Sequence, residues 1–139
     1  MNNTLLYKRL KTDFEDIEIK KNGVELLKKA LISKREKCMI GTGSMTDPYI
    51  PLESKLKNMR KSLELIERYG FGFTCITKSN LILRDLDLLK KINDKTKAVV
   101  QMTLTTYDEE LCKKIEPNVC STKERVEVLK TLNKHNIPT

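Results

Sequence analysis

The sequence predicts an α/β fold in which parallel strands alternate with covering helices. Three observations predict it. Short apolar runs at 38–40, 73–76 and 98–104 each close on glycine, threonine or serine, as buried strands do. The stretches between them repeat apolar residues at three- and four-residue steps, the period of a helix. The strands recur at roughly the length of one strand–helix crossover, about 30 residues. Apolar strands alternating with helices give a parallel sheet covered by helices, with right-handed crossovers.

Each element follows in order. Residues 1–13 show no clean period. From Asn22, the apolar residues Val24, Leu26, Leu27, Ala30 and Leu31 mark a helix with lysines opposite. Cys38-Met39-Ile40 is the first strand, ending in Gly41-Thr42-Gly43-Ser44, and a polar loop with Pro48 and Pro51 runs to Glu53. Ser54 is placed to cap a helix carrying Leu56, Met59, Leu63 and Ile66, which Gly70 stops. The second strand ends in Thr77-Lys78-Ser79. Asp85 and Asp87 then sit in the first turn of a helix with Leu86, Leu89 and Ile92 on one face, where the dipole favours acids. The third strand, 98–104, ends in Thr105-Thr106. Asp108-Glu109-Glu110 open a further helix, and 122–134 form the last. Ile137-Pro138-Thr139 stand where a fourth strand is expected to begin. A complete eight-fold barrel takes about 250 residues, so the chain reads as part of one.

Composition narrows the function. The chain has 139 residues, 39% apolar and 33% charged, which suits a globular domain rather than a disordered one. No apolar run is long enough to cross a bilayer, and Met1 is followed by Asn-Asn-Thr, so the expected location is cytoplasmic, without a signal peptide or membrane partner. The net charge of +8 favours anionic partners, but the lysines are dispersed from Lys8 to Lys134, as on solvated helix faces. With 3 Phe, 4 Tyr and no Trp, a base-stacking platform is poorly supplied. Four cysteines, Cys38, Cys75, Cys112 and Cys120, show no Cys-x-x-Cys spacing, which argues against zinc. Cys38 and Cys75 read as small core residues, while Cys112 and Cys120 fall in a helix and a loop. No glycine-rich phosphate loop lies between a strand and a helix, which argues against a doubly wound nucleotide domain.

The strand ends carry a resemblance. Ile40-Gly41-Thr42-Gly43-Ser44-Met45-Thr46-Asp47-Pro48-Tyr49-Ile50-Pro51-Leu52-Glu53 resembles the second-strand motif of radical S-adenosylmethionine (SAM) proteins related to spore photoproduct lyase. So do Ile76-Thr77-Lys78-Ser79 with Leu83-Arg84-Asp85-Leu86-Asp87-Leu88-Leu89. Thr103-Leu104-Thr105-Thr106-Tyr107-Asp108-Glu109-Glu110-Leu111, then Ile115-Glu116-Pro117 and Glu124-Arg125, continue it. The matches come in family order over 14–139, leaving 1–13 as an N-terminal segment outside the resemblance. This implies a partial parallel (β/α) barrel of the TIM type, here truncated. It also implies a 4Fe-4S iron-sulfur cluster held by Cys-x-x-x-Cys-x-x-Cys, and S-adenosylmethionine cleaved to a 5′-deoxyadenosyl radical. In the lyase itself the substrate is a thymine dimer in spore DNA, hence the label "DNA repair photolyase" for relatives. DNA or a small molecule is therefore the implied substrate of an intact enzyme.

The resemblance also nominates cofactor-binding residues. Thr42, Gly43 and Ser44 match the region contacting the methionine part of S-adenosylmethionine, or form an ordinary polar turn. Lys78 matches a contact to its carboxylate, with Ser79 beside it either contributing or capping the next helix. Thr103 and Thr105, placed on one strand face by alternation, match the approach to the ribose or methionine part. Asp47 either pairs with the ligand amine or accepts loop amides. Tyr49 either stacks on a base or covers the rim. Glu116 and Arg125 match family residues and read most plainly as an ion pair between loop and helix. The sequence departs from the family in one respect: the Cys-x-x-x-Cys-x-x-Cys loop is absent from it. No catalytic residue or metal ligand is therefore assigned, and neither cofactor is expected to bind tightly to this chain. The rival reading is a non-enzymatic basic α/β module binding nucleic acid or a protein partner, with salt-dependent affinity. Uncovered strand edges would favour a homo-oligomer.

Overall fold

The structure, a computed structural model, describes residues 7–9 and 17–139. Two short strands, β1 (Tyr7–Arg9) and β2 (Ile17–Ile19), pair antiparallel, with Lys8 opposite Glu18. Three-residue strands are too short to print a period, so sequence reading gave no element there. The boundary expected between residues 13 and 14 lies outside the described residues.

The rest follows the predicted order. Helix α1 (Gly23–Ser33) leads to β3 (Met39–Thr42), α2 (Glu53–Leu56), α3 (Asn58–Tyr69) and β4 (Gly72–Thr77). A 3₁₀ segment (Asn80–Asp85), α4 (Leu86–Lys95), β5 (Ala98–Met102), α5 (Glu109–Ile115) and α6 (Thr122–Lys134) complete it. β3, β4 and β5 form one parallel sheet in that order, with Ile40 opposite Phe73 and Phe73 opposite Ala98. Side chains alternate across it. Phe73, Cys75 and Thr77 of β4 and Ala98 and Val100 of β5 are buried, and the apolar ones among them pack with Leu63 and Ile66 of α3 and Leu89 and Ile92 of α4. Each such aliphatic side chain contributes about 1.5–3 kcal/mol by leaving water. Thr74, Ile76 and Val99 point the other way and are half-buried, and Gln101 beside them is exposed.

Three local expectations need correction. The predicted second helix is broken in two at Lys57, whose φ of 54° is left-handed. Ser54 therefore lies inside α2, donating to the Pro51 carbonyl at 2.7 Å, and does not cap α3. The buried Glu53 does so instead, accepting from the amides of Asn58 and Met59 at 3.0 and 2.9 Å. Its carboxylate answers the orphan donors and the positive end of that helix. Cys38 is exposed rather than core, because it precedes the first residue of an edge strand. The third strand stops at Met102, and Leu104 is 38% exposed beyond it, so strand alternation does not extend through Thr105.

The glycine stop reads as expected. Gly70 ends α3 at φ 68°, and the Phe71 amide reaches back to the Ile66 carbonyl at 3.0 Å. Ser121 and Glu124 form a reciprocal capping box on α6. After α6 the chain returns to the sheet: Ile137 is buried in the core, and the Val100 amide donates to the Pro138 carbonyl at 3.0 Å. No strand is assigned there among the described residues, but this is the edge on which a fourth parallel strand was expected. Among the described residues no helix is long and apolar enough to cross a membrane.

Candidate functional site

Parallel pairing brings the carboxyl ends of β3, β4 and β5 to one end of the sheet, where ligands of α/β folds bind. The tip of β3 is fitted tightly to its neighbour. Gly43 has φ 97°, and a Cβ built there would stand 2.0 Å from the Ile76 carbonyl oxygen. No L side chain fits both the dihedral and the space. Gly43→Ala is therefore expected to lower the unfolding free energy by at least about 2 kcal/mol in a urea titration. A change within about 0.5 kcal/mol would mean that this close approach is absent.

Asp47 ties the β3–α2 loop to the tip of β4. It accepts from the Tyr49 amide at 2.9 Å, the Thr77 hydroxyl at 2.7 Å and the Lys78 amide at 2.8 Å. Of its two proposed roles, the acceptance of loop amides is the one seen.

The centre of the rim is the carboxylate of Glu116. One oxygen, Oε1, accepts from the Lys78 ammonium and from the Thr105 hydroxyl, the latter at 2.9 Å. The other, Oε2, accepts from Arg125 Nη2 at 2.8 Å. Burial alone would push this carboxyl up. The hydrogen bonds from Lys78, Arg125 and Thr105, with the guanidinium charge, outweigh that and bring it down to about 2. Arg125 is fully buried; Nη1 donates to the Thr103 carbonyl and Nε to the Cys120 carbonyl, both at 2.9 Å, and Nη2 also reaches the Cys112 sulfur at 3.8 Å. One guanidinium thus joins the end of β5, the loop before α6 and Glu116. The ion pair read from the sequence is present and recruits two of the nominated residues, Lys78 and Thr105.

The other nominated residues are placed differently. Thr42 and Gly43 are half-buried at the β3 tip and Ser44 is exposed; neither the Thr42 nor the Ser44 hydroxyl is hydrogen-bonded among the described residues. The Ser79 hydroxyl accepts from the Leu81 amide at 3.3 Å, the capping alternative. Thr103 meets the cluster through its carbonyl. Tyr49 is 1% exposed and donates to Asp85 at 3.1 Å, so base stacking is closed to it.

Sequence reading missed a second network beneath the rim. Asp85, taken for a first-turn residue facing the dipole, is fully buried. It accepts from Arg84 through Nε at 2.9 Å and Nη2 at 2.7 Å, and from Arg60 at 3.2 Å. Arg84 also reaches Glu53 at 2.9 Å, and Arg60 forks onto Asp87 at 3.0 and 2.9 Å. The residues quoted for the resemblance around Glu53 and Arg84-Asp85 thus act in the framework. The signal available was charge inside an apolar run: Arg84-Asp85 lies between Leu81-Ile82-Leu83 and Leu86.

Comparison with known proteins decides the family. The Radical SAM superfamily pattern matches residues 10–139. The chain belongs to the radical SAM superfamily. It is 34% identical over 121 residues to "Uncharacterized protein MJ0683" of Methanocaldococcus jannaschii, covering 87% of this chain and 44% of that protein. It is 32% identical over 106 residues to "Uncharacterized protein ORF301" of Acidianus two-tailed virus, covering 76% of this chain and 34% of that one. The chain thus spans less than half the length of these curated relatives. No solved structure matches it.

Radical SAM membership implies an iron–sulfur cluster and S-adenosylmethionine, and the residues here fit the two unequally. Cys75 is buried in β4, and burial with the nearby Asp47 charge pushes its thiol well up. Cys112 is buried with its sulfur 3.8 Å from Arg125, Cys120 donates to the Lys78 carbonyl, and Cys38 lies before β3 at the far end of the sheet. No group of three or more metal-ligating side chains is assembled among the described residues. These cysteines do not fit a cluster. The rim does fit part of S-adenosylmethionine: a cation and two hydroxyls without partners among the described residues.

Proposed function

We propose that this chain forms the S-adenosylmethionine-facing part of a radical SAM barrel enzyme of the spore photoproduct lyase-like, DNA repair photolyase-like group. Its substrate is unassigned. The single observation that carries the reading is Lys78, an ammonium 35% exposed at the carboxyl end of the middle strand and held there by Glu116. A cation so placed suits the ligand carboxylate, with the Thr42 and Ser44 hydroxyls available to its amino group. Radical generation would depend on thiolates that these residues do not supply, so the chain alone is expected to be inactive.

The test is a titration followed by amide resonances. Millimolar S-adenosylmethionine is expected to shift Thr42, Gly43, Ser44 and Lys78, and Lys78→Ala to abolish the response. Unchanged rim resonances, or shifts centred elsewhere, would overturn the reading. Anaerobic reconstitution with iron and sulfide is expected to leave the chain colourless. A stable brown protein would contradict the cysteine argument.

A further inference from the structure

We propose that Glu116 and Arg125 are positioning residues that fix the Lys78 ammonium as a receptor for one negatively charged ligand group. The ligand named here rests on the reading above, but the positioning rests on geometry alone.

Glu116 is not free to follow Lys78. Its Oε2 is held by Arg125 and its Oε1 by Thr105, while Arg125 is itself locked to the Thr103 and Cys120 carbonyls. The carboxylate is therefore a fixed platform, and the flexible lysine is the partner that adapts to it. An ammonium has three donors, and Glu116 is the only hydrogen-bond acceptor of Lys78 Nζ among the described residues. Two donors remain for a ligand that adds beside Glu116 without displacing it. Charge points the same way. Two cations, Lys78 and Arg125, share one carboxylate, leaving one positive charge that a single anionic group would neutralise. Lys78 is also held from its backbone: its amide donates to Asp47 at 2.8 Å, and its carbonyl accepts from Cys120 Sγ at 2.7 Å. Main chain and side-chain tip are both fixed, which lowers the entropy lost when a ligand binds.

Competitive acylation with trace acetic anhydride, read lysine by lysine on the whole chain, tests this. Lys78 in the wild-type protein is expected to react roughly fivefold more slowly than exposed Lys90, as a paired ammonium does. Glu116→Gln, in protein whose amide spectrum remains dispersed, is expected to bring Lys78 to the Lys90 rate. Arg125→Lys, which cannot span both carbonyls and Glu116, should give an intermediate rate. A merely structural role for Glu116 would change stability and leave the Lys78 to Lys90 ratio untouched. Equal rates in the wild-type protein overturn the proposal even if every variant unfolds. Added S-adenosylmethionine is expected to slow Lys78 further. A slow, Glu116-dependent Lys78 that S-adenosylmethionine does not protect would uphold the positioning and sink the ligand assignment.

Discussion

Asp85→Ala is expected to lower the unfolding free energy by about 3–5 kcal/mol, a large share of an ordinary domain's margin of about 5–15 kcal/mol. The carboxylate is fully buried and accepts from Arg84, Arg60 and the Tyr49 hydroxyl. Burial and the Asp85 charge hold the Tyr49 phenol well above its usual range, so it remains a donor. Removing Asp85 leaves the buried Tyr49 hydroxyl without its acceptor and the partly buried Arg84 with only Glu53 as its ionic partner among the described residues. Asp87→Ala supplies the control. Asp87 is half exposed and, among the described residues, forms an ion pair only with Arg60, so its loss is expected to cost below about 1 kcal/mol. Urea midpoints at constant slope separate the two. Equal costs would mean that water reaches Asp85 and that the network does not hold the β3–α2 loop.

What the sequence made legible is what local period encodes. Short apolar runs closed by small polar residues and helical spacing located β3, β4, β5 and the helices between them. Asp108 and Gly70 marked ends because capping is decided within four residues. The ion networks were not legible in this way. Asp85 meets Tyr49 across 36 positions and Arg60 across 25, and no local rule distinguishes a dipole-facing aspartate from a buried one. Ser54 looked like a cap because serine usually is one. The left-handed Lys57 moved the helix start past it and handed the task to Glu53. At the rim the pairing of Glu116 with Arg125 was read from residues that the family resemblance singled out, whereas its capture of Lys78 from another strand–helix unit required the fold. The parallel architecture thus came from the pattern, and the placement of charge came from tertiary contact.

The acid limb of stability is the second large effect, and it follows from that capture. Glu116 falls from an ordinary 4.5 to about 2 in the folded chain. A group whose folded value is depressed adds stability that is fully present above its unfolded value and is lost as pH falls through the folded one. The window is therefore from about pH 4.5 down to about pH 2, and the loss is on the order of 3 kcal/mol. Arg125 is one of the groups that depress it, and it also satisfies two backbone carbonyls, so Arg125→Leu is expected to cost about 3–5 kcal/mol at neutral pH. The same substitution removes part of the depression. Its carboxyl then titrates nearer the unfolded value, and the difference from wild type should narrow by roughly 0.5–1 kcal/mol between neutral pH and pH 3. Urea unfolding of both proteins across that range reads the narrowing directly. Curves that stay parallel would show that Arg125 acts on the two carbonyls alone, with Glu116 held low by Lys78 and Thr105.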